Sequence, residues 1–178
     1  MPTRCQLGAL LSYGTEGTVH AGTWQGKVAA IKVLSNQYAR RVETEVKLVT
    51  NLNHANIIKY FDLEHESKTA YLSMEFITGG DLYEFIQKQR MATTYWTHVG
   101  QILTDVARGM AYLHDRRIVQ ADLKSHNILL RQDTYEAVIC DFGISRSMEN
   151  DGQTSKRSQS TKGRSAVCCS LSDDWISL

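Results

Sequence analysis

Two short polar stretches constrain this chain more than any other feature. The first, Val119 to Asn127, reads Val-Gln-Ala-Asp-Leu-Lys-Ser-His-Asn and sets Asp122, Lys124 and Asn127 at fixed intervals. The second, Asp141-Phe142-Gly143, closes an apolar run. Between them, Ile128-Leu129-Leu130 and Ala137-Val138-Ile139-Cys140 read as strands on either side of a turn from Arg131 to Tyr135. The arrangement offers a carboxylate able to take a proton and two oxygen-bearing side chains able to hold a hard cation. The rest of the chain reads as the frame that holds a ligand over them.

The first part of the chain is strand-rich. Leu7, Leu10 and Leu11 lead into Ser12-Tyr13-Gly14-Thr15-Glu16-Gly17-Thr18-Val19. Thr18 to Trp24 is rich in strand formers, and Gln25-Gly26 makes a hairpin turn. Val28-Ala29-Ala30-Ile31-Lys32-Val33 is a mostly apolar strand with one cation, which is costly unless an anion meets it. Gly14 and Gly17 would let backbone approach phosphate oxygens closely. Read alone, the same glycines describe an ordinary hairpin. Tyr38 to Leu52 has helical spacing, with Val42, Val46, Val49 and Leu52 on one stripe. Ile57 to Leu63 and Ala70 to Phe76 read as two further strands joined by the turn Glu64 to Thr69.

These residues together resemble the eukaryotic protein kinases, and more closely the tyrosine-kinase-like group of serine/threonine kinases. The glycine-rich loop of that family is matched by Ser12 to Val19, with serine in the first glycine position. Its Val-Ala-Ile-Lys is matched by Ala29-Ala30-Ile31-Lys32. Its helix-C glutamate falls at Glu45, ahead of His54-Ala55-Asn56-Ile57. Its His-Arg-Asp-Leu-Lys-x-x-Asn is matched by Gln120 to Asn127, and Asp141-Phe142-Gly143 follows in order. Lysine two residues after the aspartate is what points to serine/threonine specificity.

The resemblance implies an α+β, two-lobed kinase fold. A five-stranded antiparallel small lobe would occupy residues 1–77. An incomplete, mainly helical large lobe would occupy 78–146, with 147–178 as a divergent, disordered tail. It implies ATP and Mg²⁺ as cofactors. Lys32 would contact the α- and β-phosphates and pair with Glu45. Asp122 would accept the proton of the attacking hydroxyl, Lys124 would neutralise γ-phosphate charge, and Asn127 and Asp141 would hold magnesium. The nucleotide pocket would take in Leu11, Ser12, Gly14, Gly17, Val19, Ala30, Met74 and Leu129. Glu75 and Ile77 would meet the adenine edge through backbone, with Thr78-Gly79-Gly80 as the joint. Asp81 would contact ribose. It also fits an N-terminal helix cap with Glu84 three residues on. Thr97 to His114 is the clearest helix, apolar at Val99, Ile102, Leu103, Val106, Met110 and Leu113.

Three departures qualify this resemblance. Ser12 replaces a glycine. Gln120-Ala121 replaces His-Arg: by the resemblance, the glutamine loses the histidine that braces the metal-binding loop, and the alanine removes the cation that meets a phosphorylated activation segment. Activity would then depend little on phosphorylation at Thr154, Ser158 or Thr161. The motifs also end at Arg146, before any Ala-Pro-Glu, and Pro2 is the only proline. The expectation is therefore a kinase truncated after Asp-Phe-Gly, whose long helix exposes a face for a protein partner. The function expected is transfer of the ATP γ-phosphate to protein hydroxyls. The alternative is a kinase-like ATP-binding decoy or scaffold without transfer.

Composition narrows the setting. Lys plus Arg is 20 against 19 for Asp plus Glu, which gives no pull toward nucleic acid or an anionic membrane. No apolar run spans a bilayer and no secretory signal is visible. Cys5, Cys140, Cys168 and Cys169 lack metal-ligand spacing, which fits a reducing cytoplasm. Cys140, beside Asp141, reads as a small buried strand residue, with a reactive thiol as the sharper alternative.

Overall fold

The computed structural model describes residues 4–14, 17–35, 43, 46, 50–89, 91–142 and 146–147. Five strands form one antiparallel sheet: β1 (Cys5–Tyr13), β2 (Gly17–Trp24), β3 (Lys27–Ser35), β4 (Tyr60–Glu66) and β5 (Thr69–Met74). Their order is β1-β2-β3-β5-β4. Helix α1 (Leu82–Gln89) and helix α2 (Tyr95–Asp115) follow, then β6 (Ile118–Val119), a 3-10 turn at Ser125–Asn127, β7 (Ile128–Leu130) and β8 (Ala137–Ile139). The last element, β9 (Arg146–Ser147), pairs antiparallel with β6. The fold is α+β, as expected.

Strand periodicity places the core. Side chains on β3 alternate across the sheet, so Ala30, Lys32 and Leu34 share a face. Ala30 and Leu34 enter one buried cluster with Ala70, Leu72 and Met74 of β5. Register aligns Ala30 with Met74 and Lys32 with Leu72. That cluster runs on through Ile57 and Ile58 to Val138, Ile139 and Phe142, so one core joins the sheet to the β7–β8 hairpin.

The β4 and β5 boundaries differ from the sequence reading for a local reason. Ile57 makes a parallel bridge to Ile139 instead of opening β4. Ile58 N–H donates to the Ile139 carbonyl, and Ile139 N–H to the Asn56 carbonyl. Ile57 and Ile58 thus serve the β7–β8 hairpin, not β4. β5 stops at Met74 because Glu75 N–H turns to the Lys59 carbonyl at 2.9 Å. The intervening turn is only Ser67-Lys68, with Ser67 at φ 54°.

Helix α2 begins two residues earlier and ends one residue later than its apolar pattern suggests. Ile102 and Leu113 are fully buried, and Asp105 is buried with them. The Asp105 carboxylate accepts from Ala137 N–H at 3.2 Å, fixing β8 against the helix. Leu103, expected on the apolar stripe, is instead 61% exposed, and Trp96 is 76% exposed. The two lie on one outer face with Gly100 and Ala107. No helix among the described residues is long and apolar enough to cross a membrane.

Candidate active site

Lys32 shares a face of β3 with Ala30 and Leu34, and its Nζ lies 3.1 Å from Asp141 Oδ1. The costly strand cation thus has an anionic partner. Glu45, its other expected partner, lies outside the described residues. Its neighbours Glu43 and Val46 are helical, and Val46 is buried in the main core. Asp141 follows β8 with φ 56°, a left-handed conformation that Asp tolerates better than most residues. Phe142 fills the core beside it, edge-on to Tyr60 with centroids 6.3 Å apart. Gly143 lies outside the described residues.

Asp122, Lys124 and Asn127, the residues expected to carry the chemistry, come together by short bonds. Lys124 Nζ is 2.6 Å from Asp122 Oδ2. Asn127 Nδ2 donates to the Asp122 carbonyl at 2.8 Å and to Oδ2 at 3.2 Å. Both amide protons of Asn127 are thereby turned to Asp122, so its Oδ1 is the atom suited to a cation. Cys140 N–H donates to the Asn127 carbonyl at 2.9 Å, which sets Asp141 beside Asn127. Two hard oxygen donors fit Mg²⁺, a cation that keeps several waters and shares phosphate oxygens.

Gln120 is the residue whose part sequence reasoning missed. It was read as the loss of a histidine that braces the metal-binding loop. The structure shows a buried amide making that brace in two directions. Its Nε2 donates to the Asp141 carbonyl at 3.0 Å and to the Cys140 carbonyl at 3.3 Å. Its Oε1 accepts from Asp122 N–H at 2.6 Å. An amide carries donor and acceptor at once, and that property was the signal available in the sequence. Ala121, beside it, is exposed. Thr154, Ser158 and Thr161 lie outside the described residues.

The expected nucleotide residues divide by environment. Ala30, Met74 and Ile77 are buried, and Val19 and Leu129 pack against the same core. Val19 pairs with Lys32 across β2 and β3. Leu11 is exposed, and Ser12 pairs with Val19 at the end of the β1–β2 hairpin. Gly14 N–H bonds the Gly17 carbonyl at 2.8 Å. The need for glycine at position 17 comes from the sheet. A Cβ there would stand 1.8 Å from the Val33 carbonyl oxygen, so neighbouring backbone alone forbids a side chain. Glu75 spends its N–H on Lys59, so its carbonyl is the backbone group left to face a ligand. At the joint, Gly79 N–H donates to the Leu130 carbonyl, and Gly80 has φ 78°. Asp81 caps α1, its Oδ1 accepting from Glu84 N–H at 2.7 Å.

Cys140 lies just past the end of β8 and is only partly buried by surface, unlike the buried strand residue expected. Burial, reinforced by the Asp141 charge and opposed by Lys32, pushes its thiol up to about 12. Alkylation requires the thiolate. Iodoacetamide at pH 7.5 should therefore leave Cys140 unmodified in the folded chain, with or without ATP, and modify it on unfolding. Peptide mass mapping reads the result, and rapid ATP-protected labelling would refute it.

The protein kinase domain family matches residues 6–166. A probable serine/threonine-protein kinase of Dictyostelium discoideum is 29% identical over 94% of this chain and 18% of its own length. The Dictyostelium probable serine/threonine-protein kinase drkB is 30% identical over 84% of the chain and 22% of its own length. The serine/threonine-protein kinase CTR1 of Arabidopsis thaliana is 33% identical over 83% of the chain and 19% of its own length. The chain belongs to the protein kinase family. It spans about a fifth of the length of these relatives. The match continues past Arg146 to residue 166, further than the quoted motifs reach. Polar stretches without periodicity carry little pattern for a reader to follow.

Proposed function

We propose that this chain is a serine/threonine protein kinase domain that moves the γ-phosphate of ATP to a protein hydroxyl. One observation carries the reading: Lys32, Asp141, Asn127 and Asp122 converge through short contacts although they come from three separate parts of the chain. Lys32 would hold the α- and β-phosphates, with Glu45 as its second partner. Asn127 Oδ1 and the Asp141 carboxylate would hold Mg²⁺, which when bound supplies charge neutralisation on the phosphates. Asp122 orients the substrate hydroxyl and takes its proton. The hydroxyl oxygen bonds to the γ-phosphorus as the bond to the β–γ bridging oxygen breaks. Lys124 meets the charge on the transferred group.

Leu11, Ser12, Gly14, Gly17, Val19, Ala30, Met74 and Leu129 would enclose the nucleotide. The Glu75 carbonyl and the Ile77 N–H would read the adenine edge, and Asp81 would approach the ribose. The small lobe then covers residues 1–77 and the large lobe begins at residue 78. Residues 148–178 of the expected tail lie outside the described residues. A protein partner laid on the Trp96–Leu103 face, and a reducing cytoplasmic setting in which Cys5 and Cys140 stay free thiols, belong to the same proposal.

Transfer of label from γ-labelled ATP to a generic serine- and threonine-bearing protein tests it. Wild-type chain should transfer in the presence of Mg²⁺, and Lys32→Met should not. Wild-type binding of ATP without transfer would overturn the enzyme and leave a nucleotide-binding module.

A further inference from the structure

Asp81 already has partners on both carboxylate oxygens. Oδ1 accepts from Glu84 N–H at 2.7 Å, and Oδ2 lies 2.9 Å from His126 Nδ1. A carboxylate accepts only, so Nδ1 is the donor. The His126 ring is also held from the side, tilted against Tyr83 with centroids 4.4 Å apart. Tyr83 belongs to α1, which Asp81 caps. Asp81 bridges Leu129, two residues beyond Asn127, through backbone. The contact therefore ties the start of α1 to the 3-10 turn that carries Asn127.

A ribose hydroxyl arriving at Asp81 would have to share an oxygen that already holds a short bond, or displace His126. Oδ1 is the less available of the two, because giving up the Glu84 bond uncaps α1. Oδ2 is the oxygen a ribose would compete for, and its partner is a side chain supplied by the catalytic loop. We propose that His126 is a specificity-determining residue: by occupying Asp81 it makes nucleotide binding weakly dependent on the ribose hydroxyls. The inference rests on the nucleotide-binding reading above and refines how that site treats its ligand.

The test measures dissociation constants of ATP and 2′,3′-dideoxy-ATP with Mg²⁺ by calorimetry, for the full chain and for His126→Ala and His126→Asn. In wild type the two nucleotides should bind within about threefold, because little ribose bonding is there to lose. In His126→Ala the freed carboxylate should favour ATP by about tenfold, the size expected for a hydrogen bond to a charged group. His126→Asn keeps a side-chain donor and should stay near wild type, which guards against a merely structural effect of alanine. A wild-type preference of tenfold or more, or a preference unchanged by His126→Ala, overturns the role of His126 while leaving ATP binding intact. Failure of wild type to bind either nucleotide overturns the nucleotide reading and this inference with it.

Discussion

Asp122→Asn is expected to lower phosphotransfer turnover by about two to four orders of magnitude while leaving ATP binding nearly unchanged. The amide keeps the size and acceptor oxygen of the side chain, so the bond from Asn127 can persist. What it loses is the ability to take a proton. It also loses the ion pair to Lys124, whose side chains are 44% and 23% exposed. A half-exposed pair of that kind contributes at most about 1 kcal/mol. The loss of turnover corresponds to about 3–5 kcal/mol at the barrier, so the base and not the ion pair decides the outcome. Steady-state kinetics with a serine peptide should show kcat and kcat/KM falling together, the pattern of an interaction made in the transition state. Equal turnover in the variant would remove Asp122 from the role of base.

Gln120→Leu should damage both stability and turnover. Leucine approximates the volume of glutamine but offers no hydrogen bond. It leaves Asp122 N–H without its 2.6 Å acceptor and the Asp141 carbonyl without its 3.0 Å donor, at a position only 6% exposed. Both bonds are part-buried, and losing each without replacement costs about 1 kcal/mol or somewhat more, a sizeable part of the 5–15 kcal/mol typical of a domain. Both orphans also sit beside proposed catalytic groups, so surviving folded protein should be slow. Gln120→His supplies one donor and one acceptor and should retain much of both properties. Gln120→Glu keeps the acceptor but sets a carboxylate against two carbonyls, and should resemble leucine. Thermal denaturation and turnover of the three variants check this ordering. A stable, active Gln120→Leu would show that the brace is dispensable.

The legible parts of this chain were those where chemistry demands fixed intervals. Asp122, Lys124, Asn127 and Asp141 could be placed because their spacing is rigid and residue types are irreplaceable at each point. The strands were legible through apolar and β-branched runs, and Lys32 through its cost among them. The brace at Gln120 was not, because a departure from a familiar pattern reads as a loss until the amide's partners are seen. Strand ends slipped at Ile57 and Glu75, where backbone bonds reach residues distant in sequence. Glycine at position 17 was assigned to ligand approach when a strand carbonyl already excludes any side chain. Leu103 looked like core because helical spacing gives a stripe but not how far its coverage extends. Asp81 could be read as a cap from Glu84 three residues on, but nothing in the sequence couples it to His126, a contact made only when the catalytic loop folds back on α1.

As proposed above, Asn127 and Asp141 would make this fold a magnesium-dependent nucleotide site. Calorimetric titration of ATP into the full chain, with and without Mg²⁺, tests it most directly when Asp141→Asn is measured beside wild type. The predicted result is wild-type binding that tightens at least about tenfold with Mg²⁺, the worth of one charge-assisted contact, and loses that gain in Asp141→Asn. Equal affinity with and without Mg²⁺ in wild type, or a gain that survives Asp141→Asn, would contradict it.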